Sequence, residues 1–150
     1  MEFTDSFLIP APPDRVWTAM LDPDIMRRVL PGCRRLESTG EHEFEVTLAA
    51  GIGVLRGVFA GEVRFRDLEE RTSCGLDIAA QGSLGRVRGM GSVSLRPEDG
   101  GTRLGYTTTF SFAGPMAGIG EGLMRSVATA LTNDAMRRFR DLVAADSLAS

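Results

Sequence analysis

Apolar positions fall in two rhythms along the chain. From residue 114 onward they recur at three- and four-residue steps: Met116, Ile119, Leu123, Val127 and Leu131, broadened by Met124, Ala128, Ala135, Phe139 and Leu142. Such a stripe marks one face of a helix that needs an apolar partner. Pro115 suits a first helical position, so the spacing predicts one helix over residues 114–145, roughly 45 Å long. Gly118, Gly120 and Gly122 in its first turns each cost up to about 1 kcal/mol relative to Ala. That cost calls for close approach to a sheet, or for a helix start that moves. A glycine-rich phosphate cradle is disfavoured, because no strand runs directly into these glycines.

Upstream the rhythm is two. Residues 2–9 read as a strand stopped by Pro10, Pro12 and Pro13. A short helix over residues 14–21 follows, with Val16, Trp17 and Met20 on its apolar side. Asp22 is a suitable N-cap for a second helix, with Pro23 in the first turn and Asp24 at the positive end. That helix must end near Leu30, because Pro31-Gly32 follows. From residue 33 to 112 six strands are expected, with no helix among them. The first covers residues 33–38 and turns at residues 39–42. The next places Phe44, Val46 and Leu48 on one face, and residues 51–53 make a turn. Leu55, Gly57, Phe59, Gly61, Val63 and Phe65 then share a face, opposite Arg56, Glu62, Arg64 and Arg66. After a turn at residues 67–72, residues 73–80 align Cys74, Leu76 and Ile78. Residues 86–96 align Val87, Gly89, Gly91, Val93 and Leu95. The last strand, beyond a turn at residues 98–101, aligns Leu104, Tyr106, Thr108, Phe110 and Phe112. Clean alternation of this kind predicts an antiparallel sheet with one wet and one apolar face. The glycines within these strands predict bulges, bends or close approach, hence a strongly curved sheet hollowed on its apolar face.

Bulk composition narrows the field. A chain of 150 residues, 43% hydrophobic and 25% charged, is expected to be one soluble domain with one core. A net charge of −3 gives no footprint for nucleic acid. No window of 18 or more apolar residues exists to span a bilayer. The first residues lack the basic start and apolar core of a signal peptide, and a cytoplasmic location is expected, with peripheral contact at the inner face of the membrane left open. Cys33 and Cys74 have no metal-ligand spacing and the one histidine is His42, so no metal site, disulfide or cofactor is expected.

Catalytic chemistry has little to stand on. His42 reads as a solvated turn residue, and Cys33 and Cys74 as small hydrophobes. The paired carboxylates, such as Glu69-Glu70, fall in turns, and none is expected on an inward face. No catalytic residue is named. The apolar inward face is the better candidate: Phe44, Val46, Phe59, Leu76, Ile78, Phe110, Met116, Ile119, Leu123, Met124 and Val127 would line either a solid core or a ligand cavity of a few hundred Å³. Tyr106 and Thr108 would offer hydroxyls to a quinone carbonyl. Arg27, Arg28, Arg34 and Arg35 flank Pro31-Gly32 and read either as a solvated face or as a docking surface for an acidic partner or anionic lipid.

The order of strand, two short helices, six strands and long helix resembles the helix-grip domains of the Bet v 1/START-like (SRPBCC) superfamily. More narrowly the chain resembles the carbon monoxide dehydrogenase G-subunit family. The resemblance rests on Ala11-Pro12-Pro13-Asp14-Arg15-Val16-Trp17, Asp22-Pro23, Leu30-Pro31-Gly32-Cys33, the Gly57 and Gly61 strand, Gly101-Thr102-Arg103-Leu104-Gly105-Tyr106, and Gly114-Pro115-Met116-Ala117-Gly118-Ile119-Gly120. It implies an α+β fold in which a curved antiparallel seven-stranded sheet wraps a long C-terminal helix. It also implies non-enzymatic binding of a hydrophobic molecule between helix and sheet. The family is associated with membrane attachment or quinone handling for molybdenum-containing carbon monoxide dehydrogenases. Two departures stand out. Some members continue into a linker and an apolar anchor, where this chain stops at Ser147-Leu148-Ala149-Ser150. Glu121-Gly122 follows Gly120 where the family often has a basic or amide side chain. The alternatives left open are a protein-interaction or maturation factor with a solid core, and a small-molecule hydrolase or cyclase.

Overall fold

The computed structural model describes residues 1–52 and 55–149. Its elements run β1 Glu2–Ile9, α1 Pro13–Met20, α2 Pro23–Val29, β2 Cys33–Gly40, β3 Glu43–Ile52, β4 Leu55–Glu69, β5 Ser73–Gly82, β6 Gly85–Glu98, β7 Gly101–Ala113, a 3-10 turn Pro115–Gly118, and α3 Glu121–Ala149. The seven strands form one antiparallel sheet in the order β1-β7-β6-β5-β4-β3-β2. The chain leaves β1 at one edge and re-enters as β2 at the other. Seven strands span roughly 29 Å at about 4.8 Å each, and α1 and α2 cross that span. Curvature of the sheet around α3 shortens the crossing.

Both small helices start at prolines, and the second is also capped. Pro13 opens α1. The Asp22 carboxylate accepts the Asp24 N–H at 2.9 Å, and Pro23 occupies the first turn of α2. Thr102, fully buried in β7, donates its hydroxyl to Ala11 O at 2.7 Å and fixes the loop before α1 against the sheet. Of the turn expected at residues 51–53, Gly51 and Ile52 belong to β3 instead, and Gly53 lies outside the described residues. Among the described residues the turn before β3 is Glu41-His42, with His42 at φ 59°.

The long terminal helix is the chief departure from the expectation. It begins at Glu121 rather than at residue 114. Gly114 adopts φ 82° and ψ −156°, and Ile119 is extended at φ −79° and ψ 137°. Between them Pro115–Gly118 makes one 3-10 turn. A Cβ on Gly118, Gly120 or Gly122 would meet nothing within 4 Å, so close packing against the sheet does not explain these glycines. They lower helix propensity where the chain turns from β7 into α3.

The strand glycines mark close approach rather than bulges. A Cβ on Gly91 would lie 2.1 Å from Thr107 O, and one on Gly89 would lie 2.6 Å from the Phe110 ring. Register shifts occur elsewhere, between Cys33 and Arg35, Ser38 and Gly40, and Arg66 and Glu69.

Candidate functional site

Register places the inward side chains in rows across the sheet. One row reads Phe44, Val63, Ile78, Gly89, Phe110, and the next reads Phe65, Leu76, Gly91, Thr108, Phe3. A third reads Val46, Gly61, Ala80, Val87, Phe112. Ile78 therefore has Gly89 and Val63 beside it in its row and Ala80 and Leu76 along its strand. The small residues let neighbouring side chains close in, the Phe110 ring over Gly89, Thr108 beside Gly91 and Ala80 beside Gly61.

Packing divides across these rows into two clusters. A main core gathers Ile9, Val16, Trp17, Leu36, Phe44, Val46 and the α3 residues Phe139 and Val143. A second cluster joins Phe59, Leu84, Met116 and Met124 at the end of the sheet where α3 begins. Ile78, on the central strand β5, and Phe110, on β7 beside the edge, face inward, remain half-buried, and belong to neither cluster. A solid core would bury an isoleucine on a central strand.

The expected lining residues are thus separated by the packing. Phe44 and Val46 are buried in the main core, with Leu76 and Tyr106 packed at its margin. Phe59, Met116 and Met124 are buried in the second cluster, with Ile119 and Val127 at its margin. Thr108 is buried on the same face of the sheet. Leu123 does not join the lining: it is 47% exposed, because α3 turns Met124 and Val127 inward instead.

Tyr106 stacks on Phe7 with ring centroids 6.3 Å apart. Burial raises its phenol above the ordinary value, the Asp5 carboxylate adds to the rise, and the Thr132 side chain of α3 acts in the opposite direction. The expectation that no carboxylate lies on an inward face is corrected here. Asp5 pairs with Tyr106 in register and shares its face, exposed at the sheet edge. The alternation of Phe3, Phe7 and Ile9 already assigns odd positions of β1 to that face, and Asp5 interrupts it.

Other candidate groups lie away from this surface or are chemically quiet. The His42 ring sits 3.7 Å from the Glu41 carboxylate in its turn. Burial pushes the Cys74 thiol up to about 11, so it is protonated at neutral pH. Cys33 Sγ lies 3.6 Å from Arg35 O. No group of three metal-binding side chains occurs among the described residues. The arginines around Pro31-Gly32 divide into two kinds. Arg27 binds Asp24 at 2.6 Å and donates to Leu36 O at 2.9 Å, and Arg35 binds Glu37 at 2.8 Å. Arg28 and Arg34 are exposed, with no such partner among the described residues. The docking surface expected from all four therefore retains two free members. Two clefts of about 570 and 520 Å³ open elsewhere, the first beside Arg34 and Arg56, the second beside Arg66 and Met90.

A seven-stranded antiparallel sheet gripping a C-terminal helix behind two short helices defines the Bet v 1/START-like helix-grip class. Similar solved structures bear this out. Ara h 8.0201 superposes with TM-score 0.68 at 16% identity, over 97% of this chain and 98% of that one. The ZhuI aromatase/cyclase from Streptomyces sp. R1128 superposes with TM-score 0.70 at 16% identity, over 95% and 93%. A conserved protein from Geobacillus kaustophilus gives TM-score 0.91 at 26% identity, over 96% and 95%. The chain belongs to the carbon monoxide dehydrogenase G-subunit (CoxG) family, whose model matches residues 6–144. No curated protein matches it in sequence, and no helix among the described residues is long and apolar enough to cross a membrane.

Proposed function

We propose that the protein binds a hydrophobic small molecule, a quinone or a lipid, in the opening between sheet and α3. In this reading it serves without catalysis as an accessory to a membrane-linked oxidoreductase such as a carbon monoxide dehydrogenase. The observation that carries the reading is the divided core, with Ile78 and Phe110 half-buried between the two clusters. Family membership supports the link to the oxidoreductase. The placement of His42 in a turn and the protonated state of Cys74 support the non-catalytic part.

Tyr106 gives the opening a polar mark. Its hydroxyl would donate to a carbonyl of a bound quinone, while the apolar rows hold the ring and tail. Loss of one such hydrogen bond costs roughly 1 kcal/mol, about fivefold in affinity. Tyr106→Phe should weaken a quinone by about that factor and leave a plain hydrocarbon of equal size unchanged, measured by fluorescence titration. Equal losses for both ligands would remove Tyr106 from recognition.

The direct test is organic extraction of the purified protein followed by mass spectrometry, beside an unrelated protein from the same host. A stoichiometric quinone or lipid supports the carrier. An empty extract, with no thermal shift on adding quinones, favours a scaffold or maturation factor with a filled core. Turnover of an added ester or polyketide would favour an enzyme.

A further inference from the structure

Asp5 interrupts an apolar row, facing inward from β1 between Phe3 and Phe7. No arginine holds it there. Its Oδ1 accepts the Ser6 N–H at 2.8 Å, and no other hydrogen bond or ion pair reaches the carboxylate among the described residues. Its second oxygen is therefore open to whatever lies between β1 and α3.

A short polar track surrounds it. Asp5 lies opposite Tyr106 in register, with the roughly 5 Å between Cβ atoms of a cross-strand pair. Its charge acts on the Tyr106 phenol, and the Thr132 side chain comes to the same phenol from α3. Thr108 follows on the same face of β7, then half-buried Phe110. A two-residue step along a strand is about 6.7 Å, so Tyr106 and Phe110 stand roughly 13 Å apart. A ring head at Asp5 and Tyr106 thus lays its tail past Thr108 towards Phe110.

The two polar groups at the head differ in what they can pair with. A phenolic hydroxyl donates and accepts, so Tyr106 serves a carbonyl or a hydroxyl equally; a carboxylate only accepts. Against a quinone carbonyl, Asp5 sets acceptor against acceptor. Against a hydroquinone hydroxyl, it takes a charge-assisted hydrogen bond. Against a fatty-acid carboxylate or a lipid phosphate, it sets like charge against like.

We infer that Asp5 makes the opening selective for a ligand whose ring head carries hydroxyl donors, a hydroquinone over its quinone and over anionic lipids. The inference rests on the proposed ligand binding and narrows it. Selection is by binding alone, and no electron or proton is transferred.

The test is fluorescence titration under nitrogen with a decyl-substituted benzoquinone and with its borohydride-reduced hydroquinone. The parent protein should bind the hydroquinone about tenfold more tightly, the low end for a hydrogen bond to a charged acceptor, because Asp5 is exposed. Decanoate at equal concentration should not displace it. Asp5→Asn, whose amide donates as well as accepts, should erase the preference. Glu2→Gln removes the same charge from the exposed outward face of β1 and should keep it. Circular dichroism checks that both variants are folded. Equal affinity for the two forms, tighter quinone binding, or displacement by decanoate would overturn the selection and leave the carrier standing. So would a preference that survives in Asp5→Asn, the result expected if the charge only guards an edge strand against pairing. Binding of neither form would instead remove the ligand-binding reading itself, and the selection with it.

Discussion

Cys74 ties a single side chain to the stability of the whole sheet. It pairs with Val93 on the inward face and is 3% exposed. Burial pushes its thiol up to about 11 from 9.0, partly offset by the Arg66 guanidinium. A raised folded-state value means the fold prefers the protonated thiol. The stabilisation is complete below the unfolded value and is lost as pH rises towards the folded one. Between pH 9 and 11 the denaturation midpoint should therefore fall, by on the order of 2 kcal/mol in stability. Cys74→Ala should flatten that decline in urea titrations at several pH values. A remainder of the same sign is expected from Tyr106, whose phenol is also raised. An unchanged slope would take the effect away from the thiol. The buried alignment of Cys74 with Leu76 was legible from alternation alone. The alternation of Phe3, Phe7 and Ile9 also put Asp5 on the inward face, but a carboxylate interrupting an apolar row reads first as a solvated residue.

At the scale of elements, α3 separates what periodicity can and cannot say. The apolar stripe marked a helix of nearly the right length, and Met124, Phe139 and Val143 are buried as a helical face should be. The same stripe included Leu123 and Leu131, which are 47% and 39% exposed. A periodic pattern gives a face but not its width. The helix start was misplaced because Pro115 suits a first turn of either α or 3-10 type, and the break at Ile119 follows from backbone angles that no side chain announces. Gly122 lies within α3 with open space around its Cβ position. Gly122→Ala should raise stability by up to about 1 kcal/mol, read in thermal melts. Slower ligand uptake in the same variant would show that the pliant helix start serves entry. Unchanged uptake would leave the glycine a local defect. Strand faces were read correctly because a sheet with one wet face imposes a strict period of two. The bulge that frees Arg34 was not readable, since it adds one residue without changing composition.

For the whole molecule the divided core makes ligand binding measurable as stability. A ligand that fills the opening and binds only the folded state stabilises by about 2.7 kcal/mol at one hundred times its dissociation constant. In a domain of this size each kcal/mol is worth roughly 2–4 °C. A matching quinone or lipid should thus raise the melting temperature by roughly 5–10 °C, with no shift for a charged molecule of similar size. The fold as a whole was readable from the order of its elements. The division of the core was not, because it depends on which inward positions meet α3 and which face the gap between the clusters.

The pairing of β1 with β7 also has a consequence in time. Ile9 meets Thr102 across the sheet, and Glu2 meets Thr109, so the first strand made is bound to the last. At about 5–20 residues per second of synthesis, β1 waits roughly 5–20 seconds on the ribosome before its partner exists. Throughout that interval Phe3 and Phe7 have no strand to lie against, and β2 to β6 can form hairpins only among themselves. The sheet is completed late and from its outer edge, so a chain halted before β7 would expose these phenylalanines to whatever chaperone or neighbouring chain reaches them first.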